Sequence, residues 1–300
     1  MTHPIIGTRG SLLARTQSTW VRDQLGCGAL KVISTRGDRL VDLPLQSNLE
    51  KGLFTKELEV ALLEGEVDLA VHSLKDLPVQ PPPGLVVNTA PARAPAADLL
   101  IWRRGEDLSV KGRRVGSSSA RRIAMLEAAF PHLHAVPLRG NVPTRLDKLR
   151  RGDADALILA EAGIHRLGLD LNDFDVVRLN PEQWVPAPGQ GALGLERRAD
   201  DQRTAALLGT ISDHETHQAV VLERAVLDRF GGGCHAAMGA YATRLEGGWN
   251  LTIGARQNDG AFGVVSIQLP DANPNQVDAA LDQFHARAVP LRTVTTTPWS

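Results

Sequence analysis

The sequence has few cysteines, few aromatic residues and no excess of charge of either sign. Its two cysteines, Cys27 and Cys234, are too few for a disulfide framework, and they form no Cys-x-x-Cys pair of the kind found in zinc or dithiol sites. Aromatic residues make up 4% of the chain and the net charge is -1, a composition that disfavours a general nucleic-acid-binding protein. We therefore expect a reducing compartment and no nucleic-acid partner.

Long apolar runs are also missing. No uncharged run approaches the roughly 18 residues of a membrane-spanning helix, and Arg9 interrupts the apolar start of the chain before it could serve as a signal peptide. The 43% of hydrophobic residues nevertheless suffice to bury a core. We expect a cytoplasmic monomer that does not enter a membrane.

A chain of 300 residues exceeds what one hydrophobic core usually organises, so two or three domains are expected. Short apolar runs alternate with helical periodicity up to the prolines at 79–83, and again from about residue 115 to the proline-rich residues 181–188. This alternation predicts an α/β fold with mainly parallel sheets. Strand patterns at 239–244, 249–255 and 264–269 and a helix near 277–288 predict a small α+β domain at the end.

Basic residues concentrate in one segment of the chain. Between Arg103 and Arg151, ten arginines and two lysines stand against four acids, which gives a local charge of +8 in a nearly neutral sequence. Two interpretations stay open at this point: a solvated helix surface, or a surface that binds an anion.

Two predicted helix starts within this segment favour the anion. Ser119 lies where a strand gives way to a helix, and Arg121 and Arg122 follow it. Arg139 and Arg145 flank a second strand-to-helix loop. A cation at the amino terminus of a helix opposes the helix dipole by about 0.3–1 kcal/mol, a cost that a bound anion offsets. Both starts therefore predict a carboxylate or phosphate ligand.

The first α/β block carries a similar pattern. Arg9 and Ser11 follow the opening strand, at the place where open α/β sheets bind ligands. Lys75 and Asp76 follow a buried strand predicted over residues 67–72. Asp76 could accept a hydrogen bond from a ligand N–H group while Lys75 binds a carboxylate, or the two could form a plain salt bridge.

Three other motifs receive simpler interpretations. Residues 189–194 match G-x-G-x-x-G, but a strand-like segment follows them instead of a helix, so no dinucleotide site is expected. His214 and His217 lack the spacing of a zinc helix, and no metal site is expected. Cys234 follows three glycines, which would allow its sulfur to approach another domain, whereas burial is the ordinary role of a lone cysteine such as Cys27.

Taken together, these segments resemble the porphobilinogen deaminase family, also called hydroxymethylbilane synthase. The resemblance runs from residue 6 to about residue 240. It rests on eight blocks in the order and spacing of the family, at residues 8–11, 51–54 with 56–59, 71–78, 116–122, 138–145, 162–169, 188–194 and 233–234.

The resemblance implies two periplasmic-binding-protein-like domains that face each other across a cleft, and a smaller third domain that carries a cofactor cysteine on a loop. We accordingly predict domain 1 from residues 1–91 plus 188–208, domain 2 from residues 96–184, and domain 3 from residues 212–300. The implied activity is that of a transferase in porphyrin biosynthesis. Such an enzyme adds four porphobilinogen molecules head to tail, loses ammonia at each addition, and releases linear hydroxymethylbilane by hydrolysis.

The resemblance also implies roles for individual residues. A dipyrromethane cofactor is attached to Cys234 through a thioether, and Asp76 offsets the cation that forms when ammonia leaves, with Lys75 and Gln190 also at the catalytic centre. Because each pyrrole carries an acetate and a propionate, the basic residues have carboxylates to pair. The implied cofactor-binding residues are Lys75, Ser119, Arg121, Arg122 and Arg145. The implied substrate-binding residues are Arg9, Ser11, Arg139 and Arg166.

Three departures from the family pattern occur, at residues 49–50, at Ala96 and at residues 236–238. An alternative function is that of a non-enzymatic, periplasmic-type carboxylate-binding protein, which two such domains would serve equally well. That alternative gives Cys234, Lys75 and Asp76 no joint task. RNA binding by the basic segment ranks last, because stacking aromatic residues are scarce.

Overall fold

A computed structural model describes residues 3–35, 55–231, 237–257 and 259–299. Cys234, residues 49–50 and the family block at 51–54 lie outside the described residues. The chain divides into two compact units, Met1–Ala94 with Ala192–His217, and Pro95–Gly191 with Gln218–Ser300. The division into three domains stays a prediction.

Helices and strands alternate through most of the described chain. In order they are β1 (Ile5–Arg9), α1 (Leu12–Leu25), β2 (Ala29–Ile33), α2 (Lys56–Leu63), β3 (Leu69–Ser73), β4 (Leu85–Thr89), β5 (Asp98–Arg103), β6 (Arg114–Gly116), α3 (Ala120–Ala129), β7 (His134–Val136), α4 (Val142–Arg150), β8 (Ala156–Ala160), α5 (Glu161–Leu167), β9 (Phe174–Leu179), β10 (Leu193–Arg198), α6 (Gln202–Gly209), α7 (His214–Phe230), β11 (Met238–Leu245), β12 (Gly248–Arg256), β13 (Phe262–Leu269), α8 (Val277–Arg287), β14 (Val289–Pro290) and β15 (Thr296–Pro298).

The first unit is built on a five-stranded sheet with the order β2-β1-β3-β10-β4. Strand β1 pairs in parallel with β2 and β3, whereas β10 pairs antiparallel with both β3 and β4. Four strands therefore run in one direction, with β10 inserted against them. Consequently the carboxyl ends of β1 and β3 and the start of β10 lie at the same edge of the sheet.

The second unit contains a six-stranded sheet with the order β15-β9-β5-β8-β6-β7. Strand β6 is parallel to β7 and β8, and β5 is antiparallel to β8 and β9. The carboxyl ends of β6, β7 and β8 therefore share one edge with the start of β5. The last strand, β15, joins this sheet through β9, although its residues come from the part of the chain predicted as domain 3.

The second unit also contains the small antiparallel sheet β11-β12-β13-β14, with α8 against β13. The small sheet contacts α3 through an ion pair between Arg256 Nη2 and Glu127 Oε2, 2.9 Å apart. Phe262 of this sheet belongs to the same apolar cluster as Met125 of α3 and the fully buried Trp184. The small sheet and the six-stranded sheet thus share part of one core.

The predicted fold class, α/β with mainly parallel sheets and a small α+β part, is confirmed. The predicted strands at 67–72, 239–244, 249–255 and 264–269 correspond to β3, β11, β12 and β13, and the predicted terminal helix is α8. Strands β4, β5 and β9 were not predicted from the sequence. None of the described helices is both long enough and apolar enough to span a membrane.

Candidate functional site

Four predicted site residues gather at one edge of the first unit. Arg9 ends β1, and Ser11 caps α1, where its side chain accepts a hydrogen bond from the Ala14 backbone N–H at 3.3 Å. Lys75 and Asp76 lie in a short 3-10 turn that directly follows β3. Because β1 and β3 are adjacent and parallel, both pairs of residues lie at the carboxyl edge of this sheet.

Buried leucines on either side aim the turn toward solvent. Leu74 and Leu77 are buried, whereas Lys75 is half-buried and Asp76 is exposed. Both leucines pack against Gly194, where a Cβ atom would lie 2.9 Å from Leu74 Cδ1 and 2.8 Å from Leu77 Cδ1. The last glycine of the G-x-G-x-x-G match therefore serves the packing of the Lys75–Asp76 turn. As predicted, a strand follows this motif, which argues against a dinucleotide site.

Buried polar side chains fix the end of β3 beneath this turn. Gln17 Nε2 of α1 donates to Ser73 Oγ at 2.8 Å, and His72 Nε2 lies 3.0 Å from Glu196 Oε2 of β10. Gln17, His72 and Glu196 are all buried. Sequence analysis missed Gln17 and Glu196, because their contacts with the end of β3 join residues that are 56 and 124 positions apart.

The second unit presents two helix starts at one edge of its sheet. Ser119 caps α3, where its Oγ accepts a hydrogen bond from the Arg122 backbone N–H at 3.5 Å. Asn141 caps α4 by accepting from the Thr144 backbone N–H at 2.9 Å. Gly140 has a φ of +121°, and a Cβ atom there would lie 2.9 Å from Thr144 Cγ2, so this loop requires glycine.

Arg121 and Arg122 are buried and share one carboxylate, that of Asp98. Arg121 Nη2 lies 3.0 Å from Asp98 Oδ2, while Arg122 uses Nε and Nη2 to bind both oxygens, at 3.0 and 2.6 Å. Their other guanidinium nitrogens donate to the carbonyls of Val185 and Ile158. Burial lowers the pKa of Arg121, an effect that the charge of Asp98 opposes.

Asp98 is a buried carboxylate that sequence analysis did not assign to the site. It is fully buried at the start of β5, and it also accepts hydrogen bonds from Trp184 Nε1 at 3.0 Å and from Gln190 Nε2 at 2.8 Å. Gln190, predicted at the catalytic centre, is itself fully buried, and its amide nitrogen also donates to the Ala96 carbonyl. The antiparallel direction of β5 brings Asp98 to the edge where β8 ends, since Asp98 pairs with Ala160.

Arg139 and Arg145 complete the basic cluster of this edge, and Arg166 lies on α5, which follows β8. Arg145 Nε donates to the Gly140 carbonyl at 2.8 Å, and burial lowers its pKa to about 10, with repulsion from Arg122 and Arg139 acting in the same direction. Arg166 Nη2 donates to the Gly191 carbonyl at 2.6 Å, and burial lowers the pKa of Arg166 to about 10 as well. Among the described residues, neither Arg145 nor Arg166 forms an ion pair with a carboxylate. Both remain protonated at neutral pH, so this edge carries uncompensated positive charge.

The other six arginines of the basic segment are exposed or half-buried, and five of them form ion pairs. The solvated-surface interpretation therefore holds for these residues, and the anion interpretation stays a prediction for the cluster. The surface pairs are Arg103–Glu106, Arg113–Glu106, Arg114–Asp155, Arg150–Asp147 and Arg151–Asp153.

The two edges differ in what they can do chemically. The first offers an exposed carboxylate, Asp76, beside an ammonium and a guanidinium, which suits a reaction that develops positive charge. The second offers desolvated guanidinium groups, which suit the binding of several carboxylates. Within the described ranges, no cluster of three or more His, Cys, Asp or Glu side chains could hold a metal ion.

Comparisons with known proteins point to one family. Residues 5–206 match the family described as "Porphobilinogen deaminase, dipyromethane cofactor binding domain". Relatives named porphobilinogen deaminase include those of Roseiflexus sp. (strain RS-1), 46% identical with 84% of this chain and 86% of the relative covered, and of Brevibacillus brevis, 44% identical with 79% of each covered. Among solved structures, the periplasmic VFT2 domain of Bordetella pertussis BvgS has a TM-score of 0.39 at 15% identity, with 70% of this chain and 87% of that chain covered.

Proposed function

The chain belongs to the porphobilinogen deaminase family, and we propose that it joins four porphobilinogen molecules head to tail into linear hydroxymethylbilane, with loss of one ammonia per molecule. The observation that carries the proposal is the basic cluster of the second unit. Arg145 is desolvated beside Arg122 and Arg139, an arrangement that destabilises the free protein unless an anion is bound. A growing chain of pyrroles, each with an acetate and a propionate, supplies such anions.

The residues of this cluster fit a dipyrromethane cofactor. Two pyrroles carry four carboxylates, and the cluster holds several guanidinium groups around the buried carboxylate of Asp98. Ser119, Arg121, Arg122 and Arg145 would hold carboxylates of the cofactor, and we propose Lys75 for the same role. When bound, the cofactor supplies the terminal pyrrole carbon to which the first substrate is joined.

Cys234 is the proposed attachment point of the cofactor, through a thioether. It lies outside the described residues, so the proposal rests on its family position and on the three glycines that precede it. A cytoplasmic location, where the thiol stays reduced, and a monomeric state remain predictions.

Asp76 is the proposed catalytic carboxylate. When the C–N bond of the substrate aminomethyl group breaks and ammonia leaves, the substrate becomes cationic, and a nearby carboxylate stabilises that charge. The short turn between buried Leu74 and Leu77 exposes Asp76 for this task. The nucleophilic pyrrole carbon then forms the new C–C bond and loses its proton.

Four residues are proposed for substrate capture from their positions in the family pattern, namely Arg9, Ser11, Arg139 and Arg166. Their basic and hydroxyl side chains would bind acetate and propionate groups of porphobilinogen. Lys148 Nζ donates to the Arg139 carbonyl at 3.0 Å and so holds the loop that carries Arg139.

A turnover assay tests the proposal against its alternative. Purified protein incubated with porphobilinogen should release ammonia and a linear tetrapyrrole in a ratio of four to one. A carboxylate-binding protein without enzymatic activity would bind porphobilinogen and release neither. Stoichiometric binding without ammonia would therefore overturn the proposed function.

A further inference from the structure

Asp98 receives more hydrogen bonds than an ordinary ion-paired carboxylate. Five N–H groups from Arg121, Arg122, Trp184 and Gln190 lie within 3.0 Å of its two oxygens, and its side chain is fully buried. A carboxylate has about four lone-pair positions, so these donors saturate it. Asp98 therefore has no capacity to bind a ligand itself, and any functional effect must pass through its partners.

The charges of this cluster do not cancel. Two guanidinium groups meet one carboxylate, which leaves one positive charge before Arg139 and Arg145 are considered. Without Asp98, adjacent Arg121 and Arg122 would repel each other in a medium of low polarity. With Asp98 present, the guanidinium group of Arg122 is fixed by hydrogen bonds to both carboxylate oxygens. Arg121 Nη2 binds Asp98 Oδ2, the oxygen that also accepts from Arg122 Nε.

Trp184 and Gln190 in turn hold Asp98. The turn that carries Gln190 is anchored by Glu223 of α7, whose Oε2 accepts from the Gly189 backbone N–H at 2.7 Å while its Oε1 accepts from Ala242 N at 3.0 Å. A continuous series of bonds thus runs from α7 through Gln190 to Asp98 and the two arginines. Because Gln190 is buried against Asp98, this geometry explains how it can influence the site from within the core.

We propose that Asp98 is a positioning residue that fixes the orientation in which Arg121 and Arg122 bind carboxylates, and that Trp184 and Gln190 act through it. The proposal rests on the proposed function only for the identity of the ligand. The orientation of Arg121 and Arg122 by Asp98 concerns the binding of any carboxylate. The two can therefore be tested separately.

The experiment uses full-length protein with Cys234→Ala, so that no covalent group competes for the arginines. Glutarate, a dicarboxylate, serves as the probe in calorimetric titrations, and unfolding temperature is measured in parallel. Trp184→Phe and Gln190→Met each remove one hydrogen-bond donor to Asp98 while keeping a side chain of similar size in the core. Trp249→Phe is the matched control, because Trp249 is equally buried in the same unit and its Nε1 has no hydrogen-bond partner among the described residues.

We expect Trp184→Phe and Gln190→Met to weaken glutarate binding by about three- to tenfold relative to Trp249→Phe, as the loss of one charge-assisted hydrogen bond predicts. Asp98→Asn places an amide N–H group against the N–H groups that now bind the carboxylate. If this variant folds, it should bind glutarate more weakly still. If the variants unfold at a lower temperature but bind glutarate with unchanged affinity, the role of Asp98 is merely structural and the proposal is overturned. A parent protein that does not bind glutarate at millimolar concentration would also overturn it. If wild-type protein made no tetrapyrrole while the probe results held, the proposed function would fail and the role of Asp98 would stand.

Discussion

The carboxyl edges of the two sheets carry charge in opposite ways. At the edge of the first unit, Asp76 is exposed on a three-residue turn, and its position depends on the packing of Leu74 and Leu77. At the edge of the second unit, Arg121 and Arg122 are buried, and their positions depend on Asp98 and on helix caps. Under the proposed function, a carboxylate that meets a transient cation can stay accessible, whereas guanidinium groups that hold a polyanion attract it more strongly when they are desolvated.

Asp76→Asn should produce the largest effect. Loss of the carboxylate that offsets the substrate cation is expected to lower kcat on the order of 10²- to 10³-fold, with folding and covalent cofactor retained. Ammonia release measured at saturating porphobilinogen checks this. Asp282→Asn, at another exposed acid, is the matched control. Ammonia release at the wild-type rate would remove Asp76 from the catalytic centre.

Arg139→Leu should act mainly on substrate capture. We expect KM for porphobilinogen to rise about 10- to 100-fold, because one charge-assisted contact to a carboxylate is lost. The unfolding temperature should change little. Steady-state kinetics measure the effect. Arg150→Leu removes an exposed arginine paired with Asp147 and should leave KM unchanged. Equal KM values for the two variants would contradict the assignment of Arg139.

Arg145→Met should separate stability from binding. Since Arg145 is desolvated beside other cations, its replacement in the Cys234→Ala protein should stabilise the fold by on the order of 1–3 kcal/mol, while glutarate binding weakens. Denaturant unfolding and calorimetry check the two effects. A destabilised variant would show that Arg145 serves the fold.

The pH dependence of the free energy of unfolding, compared between the Arg145→Met variant and its parent protein, sharpens this test. The pKa of Arg145 is lowered in the folded protein to about 10, so the burial penalty is fully present at neutral pH. Above pH 10 the unfolded chain binds more protons than the folded one, and the wild-type protein gains stability as pH rises. The advantage of Arg145→Met should therefore shrink above about pH 10, and a constant difference would contradict the stated cause.

Ser119→Ala should produce the smallest effect, a loss of about 0.5–2 kcal/mol from the missing cap of α3. Ser119→Asp restores a capping oxygen but adds negative charge beside the arginines. It should keep wild-type stability and load less cofactor, as measured by intact mass. Loading equal to wild type would limit Ser119 to capping.

Local sequence patterns predicted what depends on near neighbours. The serine before Arg121 and Arg122 marked the start of α3, and the polar residues after the predicted strand at 67–72 marked the turn that carries Lys75 and Asp76. Asp98 was missed because its partners lie between 23 and 92 positions away along the chain, a pairing that the antiparallel direction of β5 creates.

Sequence patterns also could not sort the basic segment into its two classes of arginine. Arg114 and Arg122 look alike in the sequence, but Arg114 pairs with Asp155 at the surface, whereas Arg122 is buried against Asp98. That difference depends on strand pairing, because β6 lies beside β8, and β8 lies beside β5, which begins at Asp98. The sequence alone does not show these pairings.

Intact-mass measurement of the purified protein tests the central claim, a dipyrromethane held on Cys234, most directly. The wild-type chain and the Cys27→Ala control should both carry the mass of two pyrrole units joined through sulfur, and Cys234→Ala should carry the bare polypeptide mass. An active wild-type chain of unmodified mass, or an increment that persists in Cys234→Ala, would contradict the account.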